Sequence, residues 1–497
     1  MRRHQLKVAL AGATIDRRFW KEDRAATPET ISAAYARVSH SPRELSVLRD
    51  EAVNEVDKAR ASNERIIYRM GHSSVAEHAV FNLDVSDCSR LLVEFIEHHR
   101  LASYTERSQR YVFFGNKTFV LPDELKGTPL EEEVRKLEGD KFDLYNKVAA
   151  DPALKERFGD GLLEQARYVL GLTCPTDIGL TVNAREAEHM ISQGAAHPLS
   201  EVREFSKQLL EVTCHLAPSL IKYTKKSDHA ERAKREIASV MSSSGTAFSG
   251  PERETSVRAA PEGPGICSGR PTTCDDPETE IAATLIFENS SLPFCRAREI
   301  AGGMRDEELM DLFLPVFRNY PVHASLPRAF EMMDLTLSFH ISASAFAQLK
   351  RHRMATIITQ PYDPGLWETP EVFLSSKDLT ERFWDLMKRS RELYGAITRA
   401  KDRNVAEYVL TNAHKRRVIF KANLREMYHF VRLRSDVHAQ EEIRVISDMI
   451  VQEMKKRFPV VTAMLCGKDG YPGARERIMG CYADDGIGPD PLKEGKR

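Results

Sequence analysis

The sequence predicts an α+β fold built as two tandem, related domains, each a small sheet with long helices. Three observations carry that expectation. Four segments of the first half recur, in the same order, in the second. Each half joins short runs of alternating polar and apolar residues to longer stretches with helical spacing. Neither a GxGxxG nor a GxxxxGK[ST] phosphate loop is present, so a doubly wound nucleotide-binding sheet is not indicated.

The repeats set the organisation. TPETISAAYARVSHS (27–41) matches DPETEIAATLIFENS (276–290), and SSVAEHAVFNLDVS (73–86) matches LPRAFEMMDLTLSF (326–339). HHRLAS (98–103) matches RHRMAT (351–356), and YVLGLTCPTDIGLTVNAR (168–185) matches YVLTNAHKRRVIFKANLR (408–425). Duplication and fusion account for the shared order. The first domain is expected over 1–225 and the second over 276–480. Between them, 226–275 is rich in Gly, Pro, Ser and charge and reads as a linker. Residues 481–497 read as a polar tail.

Within a half, a short strand opens the chain, and Pro-Glu-Thr before small apolar residues marks the start of a helix. FNLDVS and LTLSFHIS alternate as strands do. Amphipathic helices are expected near 200–220 and over 439–458, where Ile443, Ile446, Met449, Ile450 and Met454 keep helical spacing.

Composition excludes several function classes. Hydrophobic residues make up 42 % and charged residues 29 %, which is ordinary for a globular protein. A net charge of −1 gives no basic field for nucleic acid. No apolar run approaches the roughly 20 residues that span a bilayer. The apolar stretch near the N-terminus is broken by Asp16, Arg17 and Arg18 and reads as a strand, not a signal peptide. Eight cysteines are scattered without a CxxC pair, so a reduced, cytoplasmic compartment is expected and no metal site is assigned. Cys267 and Cys274 lie in the linker, where pairing or metal binding is the alternative to simple solvation.

The chemistry-bearing residues are dense in two places. GHSSVAEH (71–78) and HHRLASYTERSQRY (98–111) gather His72, His78, His98, His99, Arg100, Glu106, Ser108 and Arg110. Arginine and histidine in this density suit phosphate or a pyrophosphate. The alternative is a solvated basic loop with a few core histidines. The second half offers Gln348, Arg351-His352-Arg353 and the run Leu433-Arg434-Ser435-Asp436-Val437-His438-Ala439-Gln440. There the alternative is that Arg351-His352-Arg353, which follows an amphipathic helix, merely caps it or faces solvent, and that His438 is a packed interface histidine.

This ordered set resembles the signature of the flavin-dependent thymidylate synthases: Arg-His-Arg, seven residues, then Ser, with a Gly-His…Glu-His block before it and an Asn-Ala-Arg block and a late Leu-Arg-x-Asp block after it. The resemblance covers most of both halves. It implies FAD as cofactor, with NADPH and methylenetetrahydrofolate as co-substrates and dUMP converted to dTMP. Arg434 would be the catalytic cation that stabilises the uracil as it gains negative charge. Glu106, Ser108, Arg110 and Arg167, with Gln348 and Arg351, would bind dUMP. His72, Ser74, His99, Arg100, Asn183, Arg185, His352, Arg353, Asn423, Arg425 and His429 would contact FAD.

The two halves depart from the pattern in complementary ways. The first keeps Glu106, Ser108, Arg110 and Arg167, but has Phe95 in place of the Gln, His98 in place of the first Arg, and ISQGAAHPLSE in place of the late Arg block, with His197 and Glu201 remaining. The second keeps Gln348, Arg351-His352-Arg353 and Arg434, but has Thr359, Pro361 and Asp363 in place of the nucleotide loop and Glu407 in place of Arg167. Leu326 stands at the place of His72, with His323 nearby. In this family each site is shared between subunits of a tetramer. The resemblance therefore implies a homodimer forming a pseudo-tetramer of four halves, half of its sites competent. The rival expectations are a methylase or hydroxymethylase of another pyrimidine nucleotide, a non-catalytic flavin- or nucleotide-binding protein, and an RNA-modifying flavoenzyme.

Overall fold

The computed structural model describes residues 5–16, 27–38, 40–116, 118–225, 276–318, 320–322 and 324–480, with positions 232, 236 and 237. The rest of the linker, with Cys267 and Cys274, as well as His323 and the tail lie outside the described residues.

The first half runs β1 (Lys7–Ala13), α1 (Glu29–Val38), β2 (Val80–Cys88), α2 (Arg90–His98), β3 (Ala102–Glu106), α3 (Leu130–Ala149), β4 (Thr176–Asn183), α4 (Ala184–Ala196) and α5 (Ser200–Cys214). The second runs α6 (Pro277–Glu288), β5 (Asp334–Ser342), α7 (Ala343–Leu349), β6 (Thr356–Thr359), β7 (Asp363–Trp367), α8 (Lys377–Ala400), β8 (His414–Asn423), α9 (Leu424–Arg434) and α10 (Glu441–Arg457). The strands expected from FNLDVS and LTLSFHIS are β2 and β5, and the expected helices are α5 and α10. The opening strand is β1 in the first half; any counterpart in the second would fall before 276, outside the described residues. Among the described residues no helix is long and apolar enough to cross a membrane.

One sheet has the antiparallel order β1-β2-β4-β3, and the other includes β5-β8-β6. Register exposes the duplication. Val80 pairs with Asn183, and Asp334 pairs with Asn423. The strand segments thus correspond one residue later than the sequence match places them. Phe81, Leu83 and Val85 are buried, as are Leu335, Leu337 and Phe339, and a slip of one residue would turn each set to the opposite face.

Shared polar clips repeat too. Ser89 and Ser342 cap α2 and α7, and each is held by a carboxylate, Glu201 and Glu442, whose Oε1 accepts from the serine N–H at 2.8 and 2.9 Å. The Pro-Glu-Thr glutamates, Glu29 buried and Glu278 half-buried, are tethers. Glu29 accepts from Ser219 N at 2.7 Å, and Glu278 accepts from Val460 N and Val461 N at 2.9 and 3.0 Å.

The division in space differs from the two expected sequence domains. One compact unit comprises Met1–Ala260 with Tyr362–His414, and the other Pro261–Pro361 with Lys415–Arg497. The segment Tyr362–His414, from the middle of the second half, therefore belongs to unit 1. Its hydrogen bonds explain why. The two copies of Tyr-Val-Leu lie against each other: Leu172 N donates to Leu410 O at 2.9 Å, Asn412 N to Leu170 O at 2.9 Å and Ala413 N to Tyr168 O at 3.0 Å. Lys141 Nζ, fully buried on α3, donates to Val409 O at 2.8 Å and to Glu138 at 2.6 Å. Tyr408 donates its hydroxyl to Glu201 at 2.7 Å. Unit 2 has a core of its own, in which Phe313, Phe317, Phe330, Tyr320 and Tyr428 meet ring to ring.

Candidate active site

In unit 2 the late arginine is held on three sides. Asn423 caps α9 by accepting from Glu426 N at 2.9 Å, and Arg434 ends the same helix. The helical repeat puts Glu426, Phe430 and Arg434 on one face. Arg434 Nε donates to His352 Nε2 at 3.0 Å, Nη1 to Gln348 Oε1 at 3.1 Å and Nη2 to Gln348 O at 2.9 Å. His352 Nδ1 lies 3.0 Å from Glu426 Oε1. Within Arg351-His352-Arg353 the ends are exposed and His352 is buried. The preceding helix α7 is buried at all seven positions, so it is not the amphipathic helix expected there. Burial, and then the charge of Arg434 and the neighbouring His429, push His352 well below the ordinary histidine range. Burial raises Glu426 in turn, opposed by His429 and Arg425.

In unit 1 the same frame has lost the arginine. Asn183 caps α4 by accepting from Glu186 N at 2.9 Å, and His99 Nδ1 lies 3.2 Å from Glu186 Oε1. At the helical position of Arg434, eleven residues after the capping asparagine, stands Gly194. At the position of Gln348 stands Phe95. A Cβ on Gly194 would lie 2.8 Å from Ser206 Cβ and 3.3 Å from Phe95 Cζ. The Phe95 ring packs edge-on against His99, His197 and Phe205, with centroids 5.3, 5.5 and 6.3 Å away. An apolar ring and a glycine thus replace a hydrogen-bonded Gln–Arg pair, and His99 Nε2 is buried with no partner. Burial works against ionisation of Glu186, but the bonds from His189 and His99 outweigh it and bring the carboxyl to about 2. The two equivalent glutamates are therefore shifted in opposite directions, Glu186 down and Glu426 up.

The nucleotide-loop residues gather in unit 1. Glu106 is buried at the end of β3 and ion-paired with Arg90, which begins α2. Arg110 pairs through Nε with Glu164, and Arg167 Nε donates to Glu164 O at 3.2 Å. Ser108 Oγ accepts from Arg110 N at 3.2 Å. Arg167 is buried, and its Nη2 has no hydrogen-bond partner. Burial lowers its pKa to about 10, with Tyr168 and Glu164 opposing and Arg90 and Arg110 reinforcing. This leaves a buried guanidinium with one unmet donor beside two arginines that are paired with Glu106 and Glu164. Asn412, from the second half, supports this loop from below: its Nδ2 donates to Gln109 Oε1 and to Arg167 O, both at 2.9 Å.

The remaining flavin candidates divide into two groups. His72, Ser74, Arg100, Arg353 and His429 are exposed. Arg185 is bound to Glu77, and Arg425 to Glu331 at 2.9 Å and Leu326 O at 2.6 Å, while Asn183 and Asn423 serve as helix caps. His438 is exposed in the single chain. His99, Glu186 and His189, and likewise His352, Glu426 and His429, place their ligand atoms within 4.8 Å of one another, a donor set suited to a metal. In unit 2 both ring nitrogens of His352 are already engaged. In unit 1 a metal on His99 Nδ1 would force the ring proton onto the partnerless Nε2.

Sequence reasoning missed Arg90, Glu164, Asn412, Gly194 and the two glutamates Glu186 and Glu426. The last two carried a signal: Asn-Ala-Arg-Glu and Asn-Leu-Arg-Glu repeat, and the Glu falls three residues after the cap. That spacing reads as a capping box, yet each carboxylate lies against a histidine.

The fold and site define a class: a duplicated α+β protein in which one copy holds a cluster of arginines and the other a locked arginine at a helix end. The family model described as thymidylate synthase complementing protein matches residues 23–219 and again 274–460, and the chain belongs to that family, with two copies of its domain. It is similar to the flavin-dependent thymidylate synthase of Pyrococcus furiosus, 33 % identical over 148 residues, which cover 28 % of this chain and 57 % of that protein. With the Pyrococcus abyssi enzyme the match covers 64 % of the relative, so the chain spans less than two thirds of either one. The Geobacter sulfurreducens enzyme is 30 % identical over 199 residues, 39 % of this chain and 81 % of that protein. A UPF0159 protein of Thermoplasma acidophilum, Ta1429, aligns end to end: 22 % identity over 484 residues, 88 % of this chain and 94 % of that one. A solved structure of the Helicobacter pylori flavin-dependent thymidylate synthase with FAD and dUMP covers 44 % of this chain and 100 % of that one, at 18 % identity and a TM-score of 0.32.

Proposed function

We propose that the chain is an FAD-dependent thymidylate synthase that converts dUMP to dTMP, with methylenetetrahydrofolate as one-carbon donor and NADPH as reductant. The observation that carries this reading is the split of parts. The locked Gln348–Arg434 pair exists in unit 2 alone, and the pocket of Ser108, Arg110 and Arg167 exists in unit 1 alone. Two chains would supply each other: unit 1 of one copy meets unit 2 of a second, giving a homodimer with four halves and half of its pseudo-equivalent sites competent.

Within such a site Arg167 and Arg110 would neutralise the phosphate of dUMP, and Ser108 would donate to it. Gln348 and Arg351 would close the pocket from the partner. Arg434 would face the uracil as negative charge develops on the ring, where a fixed cation stabilises the transition state more than the ground state. The flavin pyrophosphate would lie against the exposed Arg353 and His429 of unit 2, next to buried His352, whose ring is 5.6 Å from that of His429. When bound, FAD supplies the hydride that reduces the transferred carbon, and NADPH restores it.

Purified protein tests the reading with dUMP, UMP and dCMP offered in parallel, beside Arg434→Ala. Formation of dTMP from dUMP, lost in the variant, is the expected result. Methylation of UMP or dCMP in preference to dUMP would move the assignment to another pyrimidine nucleotide. A colourless protein that takes up no FAD would remove it altogether.

A further inference from the structure

We infer that Glu426 and His352 form a positioning dyad that fixes the guanidinium of Arg434, and that turnover depends on it. This rests on the reading that Arg434 acts on the substrate. Neither glutamate nor histidine is assigned a chemical step; they act through the arginine.

The proton positions follow from donor chemistry. A guanidinium only donates, so His352 Nε2, 3.0 Å from Arg434 Nε, presents its lone pair. A neutral imidazole has one N–H, which therefore sits on Nδ1 and points at Glu426 Oε1, 3.0 Å away. Glu426 thus selects the one tautomer able to accept from Arg434. The ring is 2 % exposed and wedged against His429 and Phe430, with centroids 5.6 and 5.0 Å away, so it has no room to flip.

Unit 1 provides an internal comparison. There the arginine is gone, yet Glu186 still holds His99 by Nδ1 at 3.2 Å, and the buried Nε2 is left without a hydrogen-bond partner. The dyad is therefore built by the helix register and the buried ring, and is not assembled by the arginine. Its unmet nitrogen in unit 1 marks the bond that Arg434 satisfies in unit 2.

The test uses the full-length protein and four variants, Glu426→Ala, Glu426→Gln, His352→Gln and His352→Asn, with Arg434→Ala as reference. The readouts are kcat, KM for dUMP, bound FAD and the hydrogen-exchange rate of the Arg434 Nε–H by NMR. Glu426→Ala should lower kcat by about 10–100-fold, the usual cost of losing an orienting partner, with KM within about threefold. Its Arg434 Nε–H should exchange faster. Glu426→Gln retains an acceptor and should keep activity within about tenfold of wild type. His352→Gln places its carbonyl near the position of Nε2 and should exceed His352→Asn, which cannot reach Arg434, by about tenfold. If Glu426→Ala fails to fold, that glutamine–asparagine comparison decides. Full activity in Glu426→Ala with a dead Arg434→Ala overturns the dyad and leaves the functional reading intact. Equal loss in His352→Gln and His352→Asn, accompanied by loss of FAD, overturns it in favour of a direct flavin contact. Activity in Arg434→Ala overturns the underlying reading instead.

Discussion

Replacing Glu138 with alanine should be among the most damaging single changes in unit 1. Glu138 and Lys141 are both fully buried, 2.6 Å apart on one turn of α3. Lys141 also donates to Val409 O, and Glu138 Oε2 accepts from Thr173 Oγ1 at 2.6 Å. Removing the carboxylate leaves a buried ammonium with one carbonyl for company, which costs about 3–5 kcal/mol. Against a total stability of about 5–15 kcal/mol this is a large share. In urea, where the slope for a chain of this size is about 3 kcal/mol/M or more, the midpoint should fall by roughly 1 M. The loss should also depend on pH with a definite sign. Burial pushes Lys141 below its ordinary range while Glu138 pulls it back up. Without Glu138 the folded state sheds that proton more readily than the unfolded state does. Where the unfolded chain binds more protons, stability rises with pH, so the deficit should narrow on going from neutral pH towards about 10.4. Equilibrium urea unfolding at neutral and alkaline pH measures both effects. The double variant Glu138→Leu with Lys141→Met removes both charges and should be more stable than Glu138→Ala. A single variant within about 1 kcal/mol of wild type, or a double variant worse than the single, would show that Glu138 does not offset a buried charge on Lys141.

Three further expectations rest on other parts of the molecule. Asn412→Ala leaves the buried Gln109 and the Arg167 carbonyl without their donor, a cost of about 1–3 kcal/mol, and should raise KM for dUMP more than it lowers kcat; an unchanged KM would contradict the supporting role. Gly194→Arg combined with Phe95→Gln should not create a second site, because Ser206 Cβ lies 2.8 Å from the new Cβ; the overpacking costs about 1–3 kcal/mol, and bound FAD per chain, read by absorbance, should not rise. Glu186, held near 2 against a usual 4.5, contributes at most about 3 kcal/mol that is present above pH 4.5 and lost as pH falls through about 2. Glu186→Gln should therefore be less stable than wild type at pH 6 and converge with it below pH 2 in acid-unfolding curves.

The fold was legible where local pattern decides structure. The alternation in β2 and β5 and the spacing of Ile443, Ile446 and Ile450 in α10 follow from neighbours in sequence. The allegiance of Tyr362–His414 to unit 1 was not, because it depends on the bonds of Lys141, Leu172 and Asn412 to residues hundreds of positions away. At the site, the Arg-His-Arg and nucleotide-loop residues stood out by density and order. Arg90, partner of Glu106, did not, since a helix-starting arginine has no distinguishing pattern. The loss of Gln and Arg in the first copy was visible as Phe95 and a changed block, but only packing reveals that Phe95 and Gly194 compensate each other. A residue of the second half also supports the nucleotide loop of the first, so residues 1–225 alone lack a part of that pocket.

Chain mixing tests the shared-site proposal most directly. A chain carrying Arg110→Ala, damaged in unit 1, and a chain carrying Arg434→Ala, damaged in unit 2, should each be inactive as homodimers. Denatured together and refolded as a mixture, they should regain about a quarter of wild-type dTMP formation, because half of the dimers are mixed and each of those has one site built from two intact contributions. No activity above that of either parent would contradict the account.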